Sequence, residues 1–352
     1  MSKTVKMSTI NKGKILVTGG TGYIGAHTVV ELQQNGYQVV IIDNLSNSNI
    51  KILRQIESIT GIAPEFEMLD LRNRTAVSDL INSLPDLEGI IHFAASKSVA
   101  ESVKNPLLYY DNNICTLVNL LDAVKGRSVN FVFSSSCTVY GEPDILPVNE
   151  MAPVKTAESP YGNTKQIGEE ILRETANVTD GLKVIALRYF NPVGAHKSAL
   201  IGELPIGVPQ NLVPFITQAA IGKRGEITVY GDDYDTTDGS CIRDYIHVVD
   251  LAKAHVAAIK RMEKGKMPEN YETFNIGTGK GNSVLEVINT FEKVTGVKLN
   301  YRIGDRRAGD IVRIWGDVTK AKNELNWIAR SALDDMLASA WAWEKYIKEN
   351  SF

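Results

Sequence analysis

The fold is decided by one stretch near the start of the chain, Lys14-Ile15-Leu16-Val17-Thr18-Gly19-Gly20-Thr21-Gly22-Tyr23-Ile24-Gly25. The apolar run Ile15–Val17 is typical of a buried parallel strand. A helix is predicted from Tyr23 to Asn35, and Gly36 is placed to end it. The stretch therefore predicts a strand, a glycine-rich turn and a helix in succession.

The glycine-rich turn has the chemistry of a phosphate site. Gly19, Gly22 and Gly25 follow the spacing G-x-x-G-x-x-G, not the commoner G-x-G-x-x-G. Glycines let the backbone turn tightly and come close to a pyrophosphate, and the start of the following helix supplies free N–H groups and a favourable dipole. The turn therefore predicts a bound dinucleotide.

A second predicted strand, Gln38–Ile42, indicates which dinucleotide binds. It ends at Asp43, whose carboxylate can accept hydrogen bonds from the adenosine ribose hydroxyls and would repel a 2′-phosphate. The next four residues, 44–47, include no Arg or Lys that could bind such a phosphate. We therefore predict NAD as the cofactor rather than NADP.

The first half of the chain alternates strand-like and helix-like segments. Apolar residues recur at helical spacing in Arg74–Leu84 and Leu107–Val124. The alternation predicts an α/β fold, a Rossmann-type doubly wound parallel sheet in which ligands bind beyond the carboxyl ends of the strands. Its predicted strands are Ile15–Val17, Gln38–Ile42, Phe66–Leu69, Gly89–Phe93, Asn130–Ser134 and Lys183–Tyr189.

The composition of the chain changes after position 190. A loop rich in Gly and Pro is followed by short strands and helices of mixed order. We predict a flexible leader at 1–12, an NAD-binding Rossmann domain at 13–190 and a smaller C-terminal α+β substrate lobe at 191–352. Part of 225–260 is expected to pack back on the first domain.

Composition and charge exclude several classes of protein. The 352 residues are 43% hydrophobic, which suffices for a large core, and the net charge of −3 predicts no attraction to nucleic acid or to an anionic membrane. No apolar run approaches the length of a bilayer span, and no spacing indicates a metal site. The scattered Cys115, Cys137 and Cys241 are typical of reduced thiols, so we predict a cytoplasmic protein.

Two residues four apart suggest acid–base chemistry. Tyr161 and Lys165 project from the same face if their segment is helical. An ammonium beside a phenol favours the phenolate and lowers the pKa of the Tyr, which could then take a proton from an alcohol. This pair on a chain with a dinucleotide turn predicts that proton transfer accompanies hydride transfer.

A series of short motifs runs from Val17 to about Trp327. They are Thr18-Gly19-Gly20-x-Gly22-Tyr23-Ile24-Gly25, Asp43-Asn44, Asp70-x-Arg72, His92-Phe93-Ala94-Ala95-x-Lys97, Tyr110-Asp111-Asn112-Asn113, Phe133-Ser134-Ser135-Ser136-Cys137-Thr138-Val139-Tyr140-Gly141, Ser159-Pro160-Tyr161-Gly162-x-x-Lys165, Arg188-Tyr189-Phe190-Asn191, Asn211-Leu212, Asp238-Gly239-x-x-x-Arg243-Asp244-Tyr245-Ile246-His247 and Arg307-x-Gly309-Asp310. In this order they resemble the UDP-galactose 4-epimerase family of extended short-chain dehydrogenases/reductases.

The resemblance implies a reaction and a role for three residues. Tyr161 would remove the proton from the sugar 4-hydroxyl while hydride passes from carbon 4 to NAD. Ser136 would hydrogen-bond the reacting oxygen, and Lys165 would bind the nicotinamide ribose and lower the Tyr161 pKa. The 4-keto sugar would then turn over and take hydride back on its other face, so UDP-glucose and UDP-galactose interconvert while NAD stays bound.

The resemblance also implies two sets of binding residues. The cofactor set is Gly19, Gly22, Tyr23, Ile24, Gly25, Asp43, Asn44, Asn47, Asp70, Leu71, Phe93, Ala94, Ala95, Lys97, Asn112, Ser136, Tyr161, Lys165, Tyr189 and Phe190. The substrate set is Lys97, Ser136, Tyr161, Phe190, Asn191, Asn211, Leu212, Arg243, Tyr245, Arg307, Asp310 and Ile314. Two arginines in the second set suit a diphosphate, because guanidinium groups bind phosphate oxygens in pairs.

Alternative functions stay open at this point. A 4,6-dehydratase on the same scaffold would carry an Asp-Glu pair where this chain has Cys137-Thr138. A UDP-uronate 4-epimerase would need a cation for the sugar carboxylate. A non-catalytic NAD-binding sensor could dispense with Tyr161 and Lys165, both of which are present.

Sugar size and assembly are further expectations from the resemblance. Ile314 occupies the position that lines the sugar pocket in the family, where Tyr narrows the pocket and Cys or Ser admits an N-acetyl group. Ile is stiff at χ1, so UDP-glucose and UDP-galactose are predicted to be preferred over their N-acetyl forms. The alternatives are that Ile314 belongs to a core strand and has no selective role, or that the protein is a UDP-N-acetylhexosamine 4-epimerase. A homodimer is expected through the helices Leu107–Val124 and Tyr161–Asn177; the alternative is that both simply pack on the sheet.

Overall fold

The structure, a computed structural model, describes residues 12–307 and 309–350. The predicted leader at 1–12 lies outside these ranges apart from Lys12. Within them, no helix combines the length and the apolar character that a membrane span requires.

The described residues form fourteen strands, numbered here in chain order. They are β1 Lys12–Thr18, β2 Tyr37–Asp43, β3 Glu65–Met68, β4 Leu87–His92, β5 Val129–Ser136, β6 Leu182–Tyr189, β7 Asn191–Val193, β8 Ile227–Tyr230, β9 Ile242–Arg243, β10 Tyr245–His247, β11 Tyr271–Ile276, β12 Asn282–Ser283, β13 Tyr301–Gly304 and β14 Arg313–Ile314.

The same residues form eleven α-helices. They are α1 Tyr23–Gln34, α2 Lys51–Thr60, α3 Arg74–Asn82, α4 Val99–Lys104, α5 Pro106–Tyr110, α6 Thr116–Ala123, α7 Pro160–Val178, α8 Leu212–Ala220, α9 Val248–Glu263, α10 Val284–Thr295 and α11 Leu333–Glu349. Gly36, two residues beyond α1, has φ +86°, as expected of a glycine that ends a helix.

Seven strands pair into one parallel sheet in the order β11-β6-β5-β4-β1-β2-β3. Each of the six predicted strands overlaps a strand of this sheet, so the doubly wound α/β fold is confirmed. The chain can reach this order only by crossing back past β1, and the carboxyl ends of β1 and β4 then lie side by side. Ligands of such sheets bind at that point.

Helices cover both faces of the sheet and bury its apolar side chains. On one face Val29 of α1 and Leu251 of α9 are fully buried against the sheet. On the other face Leu120 of α6 and Leu172 of α7 are fully buried. Burying one such side chain contributes about 1.5–3 kcal/mol, so the two layers hold the strands that carry the candidate site.

The chain returns to the first domain in two elements, α9 and β11. Most of α9, which packs on α1, lies within the predicted range 225–260, whereas β11, which extends the main sheet beside β6, follows that range. The strand β11 has a mixed sequence, with Glu272 and Asn275 among its buried residues. Arg261 of α9 neutralises Glu272 at 2.7 Å, which is why a charged residue can lie in this layer.

Residues after position 190 also build a second core of their own. Val213 of α8, Phe291 of α10 and Leu337 of α11 are buried together with Val229 of β8. This is the smaller α+β lobe predicted from the sequence. The short pairs β7–β10, β9–β12 and β9–β14 connect it to the carboxyl edge of the main sheet.

The predicted helix Leu107–Val124 is continuous but not uniform. A π-helical turn, Asp111–Cys115, separates α5 from α6, and the residues at both junctions keep right-handed helical angles. Such a turn is common at functional sites. It contains Asn112 and Asn113, which lie beside the segment after β4.

Candidate active site

The glycine turn between β1 and α1 leaves room for a pyrophosphate. Gly19 has φ +69°, and a Cβ there would lie 2.9 Å from the amide nitrogen of Ala94. A Cβ on Gly25 would lie 2.2 Å from the carbonyl oxygen of Gly19. No side chain caps the start of α1 at Gly22, so the helix N–H groups face the turn. The residues present therefore fit the diphosphate of a dinucleotide.

Asp43 braces this turn. Its carboxylate accepts hydrogen bonds from the backbone of Thr21 at 3.2 Å and of Leu45 at 2.9 Å, and from the Ser48 hydroxyl at 3.0 Å. A carboxylate has about four acceptor positions, so one position remains for a ribose hydroxyl. The bond to Thr21 was not foreseen and gives Asp43 a structural role beside the predicted one.

Asp70 already has a cationic partner. The Arg72 guanidinium binds its carboxylate at 2.8 Å, and Asn44 donates to it at 3.3 Å. The hydrogen bond from Arg72 lowers the pKa of Asp70 to about 2. Asp70 therefore stays ionised at neutral pH and holds Asn44, another residue of the predicted cofactor set, at the edge of the sheet.

The other predicted cofactor residues follow the same edge. Thr18 accepts a hydrogen bond from the backbone of Ala94 at 3.3 Å, and Asn112 donates to Ser96 at 3.2 Å. These residues lie at the carboxyl ends of the strands β1 to β4 or in the segments that adjoin those ends: Tyr23, Ile24, Asn47, Leu71, Phe93, Ala95 and Asn112.

The three predicted catalytic residues are brought together by β5 and α7. Ser136 is the last residue of β5, and Tyr161 and Lys165 lie on the first turns of α7. The helix begins here because the Ser159 hydroxyl accepts from the backbone of Gly162 at 3.2 Å and Pro160 occupies its first position. The predicted helical spacing of Tyr161 and Lys165 is thereby confirmed.

Lys165 points into the site between the strand and its own helix. Its ammonium donates to the carbonyl oxygen of Ser134 at 2.6 Å. The same nitrogen lies 5.0 Å from the centre of the Phe133 ring and 5.8 Å from the centre of the Tyr161 ring. The carbonyl of Ser134 therefore fixes the ammonium near the phenol without a direct bond between them.

The prediction that Lys165 holds the Tyr161 pKa below its ordinary value is wrong for the protein alone. Burial first, and then the neighbouring Cys137, raise the pKa of Tyr161 to about 12, although a hydrogen bond with Ser136 acts in the opposite direction. Burial also lowers the pKa of Lys165 to about 8, while Glu169 raises it. Burial is the largest cause of both shifts, so in the protein alone the phenol is protonated at neutral pH.

Glu203 is a site residue that sequence reasoning missed. Its carboxylate binds Lys97 at 3.3 Å and accepts from the Asn211 amide at 2.9 Å. Its backbone oxygen accepts from Trp343 at 2.8 Å, and its side chain is mostly buried. One carboxylate thus joins a residue of the predicted cofactor set to a residue of the predicted substrate set. Its loop, 194–211, contains no spacing that could have indicated this.

The predicted diphosphate arginines lie on the smaller lobe. Arg307 binds Asp310 at 2.6 Å, and its guanidinium lies 5.4 Å from the centre of the Tyr230 ring. Arg243 of β9 donates to the carbonyl oxygen of Ile242 at 2.9 Å. Tyr230, which is 46% exposed, was not predicted; an aromatic residue at the end of a short strand was the available signal.

Several predicted binding residues have buried side chains. Phe190 and Ile314 lie in one apolar cluster with Cys137, and each is only 3% exposed. Tyr189 is buried, with its hydroxyl hydrogen-bonded to the Ser134 side chain. Tyr245 is buried in the core of the smaller lobe. In the protein alone, these side chains support the site from the core and do not line an open surface.

Asn191 and Leu212 begin the elements that adjoin this cluster. Asn191 starts β7 and donates from its backbone to the carbonyl oxygen of Asp244 at 2.9 Å, and Leu212 starts α8 directly after Asn211.

The described residues include no group of three or more His, Cys, Asp or Glu side chains that could hold a metal ion.

Comparison with known proteins agrees with this geometry. The family model of the NAD dependent epimerase/dehydratase family matches residues 15–277. The UDP-glucose 4-epimerase of Pasteurella multocida is 47% identical over 332 residues, which cover 94% of this chain and 97% of that protein. The chain belongs to the UDP-glucose 4-epimerase family. The resemblance inferred from the motifs is thereby confirmed.

Solved structures of this epimerase family have the same fold. The UDP-glucose-4-epimerase from Stenotrophomonas maltophila, with bound NAD and formylated UDP-arabinopyranose, is 47% identical with a TM-score of 0.92; the match covers 96% of this chain and 99% of that one. The epimerase from Bifidobacterium longum in complex with NAD+ and UDP is 44% identical with a TM-score of 0.91, and the match covers 96% and 100%.

Proposed function

We propose that the protein interconverts UDP-galactose and UDP-glucose by inverting carbon 4 of the sugar, with NAD as a bound cofactor. The observation that carries this function is the meeting of Ser136, Tyr161 and Lys165 beside a glycine turn that fits a dinucleotide. The family, and solved relatives that hold NAD with UDP or a UDP-sugar, support the same conclusion.

The groups that can exchange a proton in this site suit a reversible reaction. When bound, NAD accepts and returns the hydride of carbon 4, and its nicotinamide brings a positive charge that opposes the effect of burial on Tyr161. As the phenolate, Tyr161 would take the proton of the sugar 4-hydroxyl during oxidation at carbon 4, and the resulting phenol would return it to the oxygen of the 4-keto sugar during reduction. The Ser136 hydroxyl, hydrogen-bonded to Tyr161, supplies the short path for that proton.

The nucleotide must stay bound while the sugar turns over. Arg243 and Arg307 supply the cations for the diphosphate, and Tyr230 beside Arg307 offers a ring for stacking. The Arg307–Asp310 ion pair holds that guanidinium in one orientation. The charges lie on the nucleotide part of the site, which leaves the sugar free to present either face of carbon 4.

A 4,6-dehydratase is not favoured by the residues after Ser136. Cys137 and Thr138 stand where that chemistry needs a carboxyl pair, and burial raises the pKa of the Cys137 thiol to about 12. A thiol this weak as an acid cannot exchange protons near neutral pH. A sensor is not favoured either, since the complete set of catalytic residues is present.

Incubation with UDP-galactose tests the proposal. The product is converted by an added UDP-glucose dehydrogenase, whose NADH is read optically, and a reaction without the protein is the control. UDP-glucose should accumulate to equilibrium. Formation of a 4-keto-6-deoxy sugar, or no turnover of either hexose, would refute the proposed function. Denatured protein should also release NAD(H) into the supernatant, because an enclosed, redox-neutral cofactor leaves slowly.

We further propose that the protein is a homodimer. Leu107, Leu108 and Val118, in or beside the predicted interface helix, are 81%, 42% and 41% exposed, and Val103 of α4 is 62% exposed. Apolar side chains concentrated on neighbouring helices favour association of two identical faces. Sedimentation at micromolar concentration should give a dimer, and Leu107→Glu should give a monomer. A monomeric unmodified protein would refute this.

A cytoplasmic location is proposed from the cysteines. Cys115, Cys137 and Cys241 are all free, and Cys115 is exposed. Unpaired thiols suit a reducing compartment. Fractionation of the cells that express the protein should place it with the cytosolic markers.

A further inference from the structure

Helix α7 carries a second buried charge one turn after Lys165. Glu169 is 5% exposed and Arg188 of β6 is 5% exposed. Their contact is bidentate: Arg188 donates from Nε to Oε1 at 2.9 Å and from Nη2 to Oε2 at 2.6 Å. The pair lies on the layer between α7 and the sheet and belongs to neither predicted binding set.

The pair also holds the strand that ends in the catalytic serine. The Ser135 hydroxyl donates to Glu169 Oε1 at 2.5 Å, and Ser135 is the register partner of Arg188 between β5 and β6. Arg188 Nη1 donates to the Tyr140 hydroxyl at 3.1 Å. Tyr140 closes the short 3-10 turn that begins at Cys137, directly after Ser136. Glu169 and Arg188 therefore contact both flanks of Ser136.

The stability of the fold does not by itself explain why this ion pair is buried. Burying two charges is costly, and apolar residues of similar volume often replace a buried ion pair without loss of stability. Apolar residues cannot reproduce the fixed geometry of this bidentate contact, in which Glu169 also binds Ser135 and Arg188 also binds Tyr140. The contacts instead fix the position of α7 along β5 and β6.

The pair also sets the charge environment of Lys165. The ionisable groups that face this ammonium are His92 of β4, Tyr161 and Glu169. Burial lowers the pKa of His92 to about 3 and raises that of Tyr161 to about 12, so both are neutral at pH 7. Glu169 supplies the negative charge, and the groups that face it in turn are Arg188, Tyr140 and Tyr271.

We propose that Glu169 and Arg188 are positioning residues for the reaction at Ser136, Tyr161 and Lys165. The ion pair holds α7 in register with the strand that ends in Ser136, and it fixes the Glu169 carboxylate one helical turn after Lys165 on the same helix. The proposal rests on the function proposed above, but its electrostatic part concerns the protein without substrate.

The charge of Lys165 is measured by NMR titration of protein labelled with 13C at the lysine ε-carbons, with Lys165→Met to assign the signal. Glu169→Gln should lower the Lys165 pKa by about half a unit to one unit, because a buried negative charge is removed. Glu170→Gln is the matched control: it removes the same charge from the next residue, which is exposed, and should leave the Lys165 pKa unchanged. An unchanged Lys165 pKa in Glu169→Gln would overturn the proposal.

Turnover of UDP-galactose gives the second readout. Glu169→Gln should lower kcat about ten-fold or more with little change in KM, and the alkaline limb of its pH profile should move to lower pH. A merely structural role would lower the amount of folded enzyme without moving that limb, and this result would contradict the proposal. If the unmodified enzyme fails to turn over UDP-galactose while the Lys165 pKa still shifts, the proposed function fails and the electrostatic coupling stands.

Ser135→Ala keeps the ion pair and covers the case in which Glu169→Gln does not fold. It removes only the hydrogen bond from β5 to Glu169, so the variant should fold. Its kcat should fall several-fold while KM and the Lys165 pKa stay close to those of the unmodified enzyme. A kcat equal to that of the unmodified enzyme would show that the link between β5 and α7 does not position the site.

Discussion

Replacing Gly25 with Ala tests whether the glycine turn is the cofactor cradle. The added Cβ would lie 2.2 Å from the Gly19 carbonyl oxygen and 2.8 Å from the Gly20 Cα. Non-bonded heavy atoms rest about 3.5 Å apart, so the turn must move by about 1 Å away from α1. Both obstacles are backbone atoms, which cannot swing aside as the end of a side chain can.

The expected magnitude follows from that overlap. Overpacking of this kind usually destabilises a protein by about 1–3 kcal/mol. Because rigid backbone lies on both sides of the added Cβ, we expect a strain of about 3 kcal/mol for Gly25→Ala. If the strain is relieved by displacing the turn, NAD affinity falls about a hundred-fold, since 1.4 kcal/mol is about ten-fold. Gly225→Ala is the matched control, because a Cβ there meets no atom within 4 Å.

The assay compares the NAD(H) content of purified protein and the Kd of NAD by calorimetry, with thermal unfolding as the measure of fold. Gly25→Ala should lose its bound NAD yet unfold cooperatively, and Gly225→Ala should keep NAD. A Gly25→Ala protein that binds NAD as tightly as the unmodified chain would refute the assignment of the turn.

Three further predictions concern the substrate side of the site. The kcat should fall as pH rises through about 8, because Lys165 is charged below that pKa and neutral above it; a flat profile from pH 7 to 9.5 would contradict this. Glu203→Gln should tighten UDP binding about two- to five-fold in calorimetry, since a half-exposed ion pair no longer holds Lys97, and weaker binding would reject that role. The unmodified enzyme should prefer UDP-galactose to UDP-N-acetylgalactosamine, and Ile314→Ser should admit the latter; equal kcat/KM for both sugars in the unmodified enzyme would reject the size limit.

The main sheet was readable from the sequence because its strands are buried on both faces. Runs such as Ile15–Val17 are apolar throughout, and a glycine turn after the first of them fixes the direction of the chain. The seventh strand, β11, could not be read in this way. Its Glu272 and Asn275 are buried only because Arg261, Tyr140 and other distant residues pair with them, and no local pattern contains that information.

The site could be predicted from the sequence where residues of suitable chemistry occur at a spacing that brings them together. Tyr161 and Lys165 share a helix face, and their neighbour Ser136 ends a strand, so the motif predicts the cluster. The pKa of Tyr161 was not readable, since the sequence shows the cation but not the burial of the phenol. Glu203 was missed for a related reason: its partners, Lys97 and Asn211, come from distant segments.

We propose that Tyr161 transfers the proton of the NAD-dependent epimerisation at carbon 4. Tyr161→Phe removes one hydroxyl and keeps the ring that packs near Tyr109. Conversion of UDP-galactose to UDP-glucose, followed by 1H NMR of the anomeric protons in both proteins, tests it most directly. In Tyr161→Phe, kcat should fall about a thousand-fold while bound NAD is retained, since general acid–base catalysis contributes about 10²–10⁴-fold. Turnover by Tyr161→Phe at the rate of the unmodified enzyme would contradict the proposal.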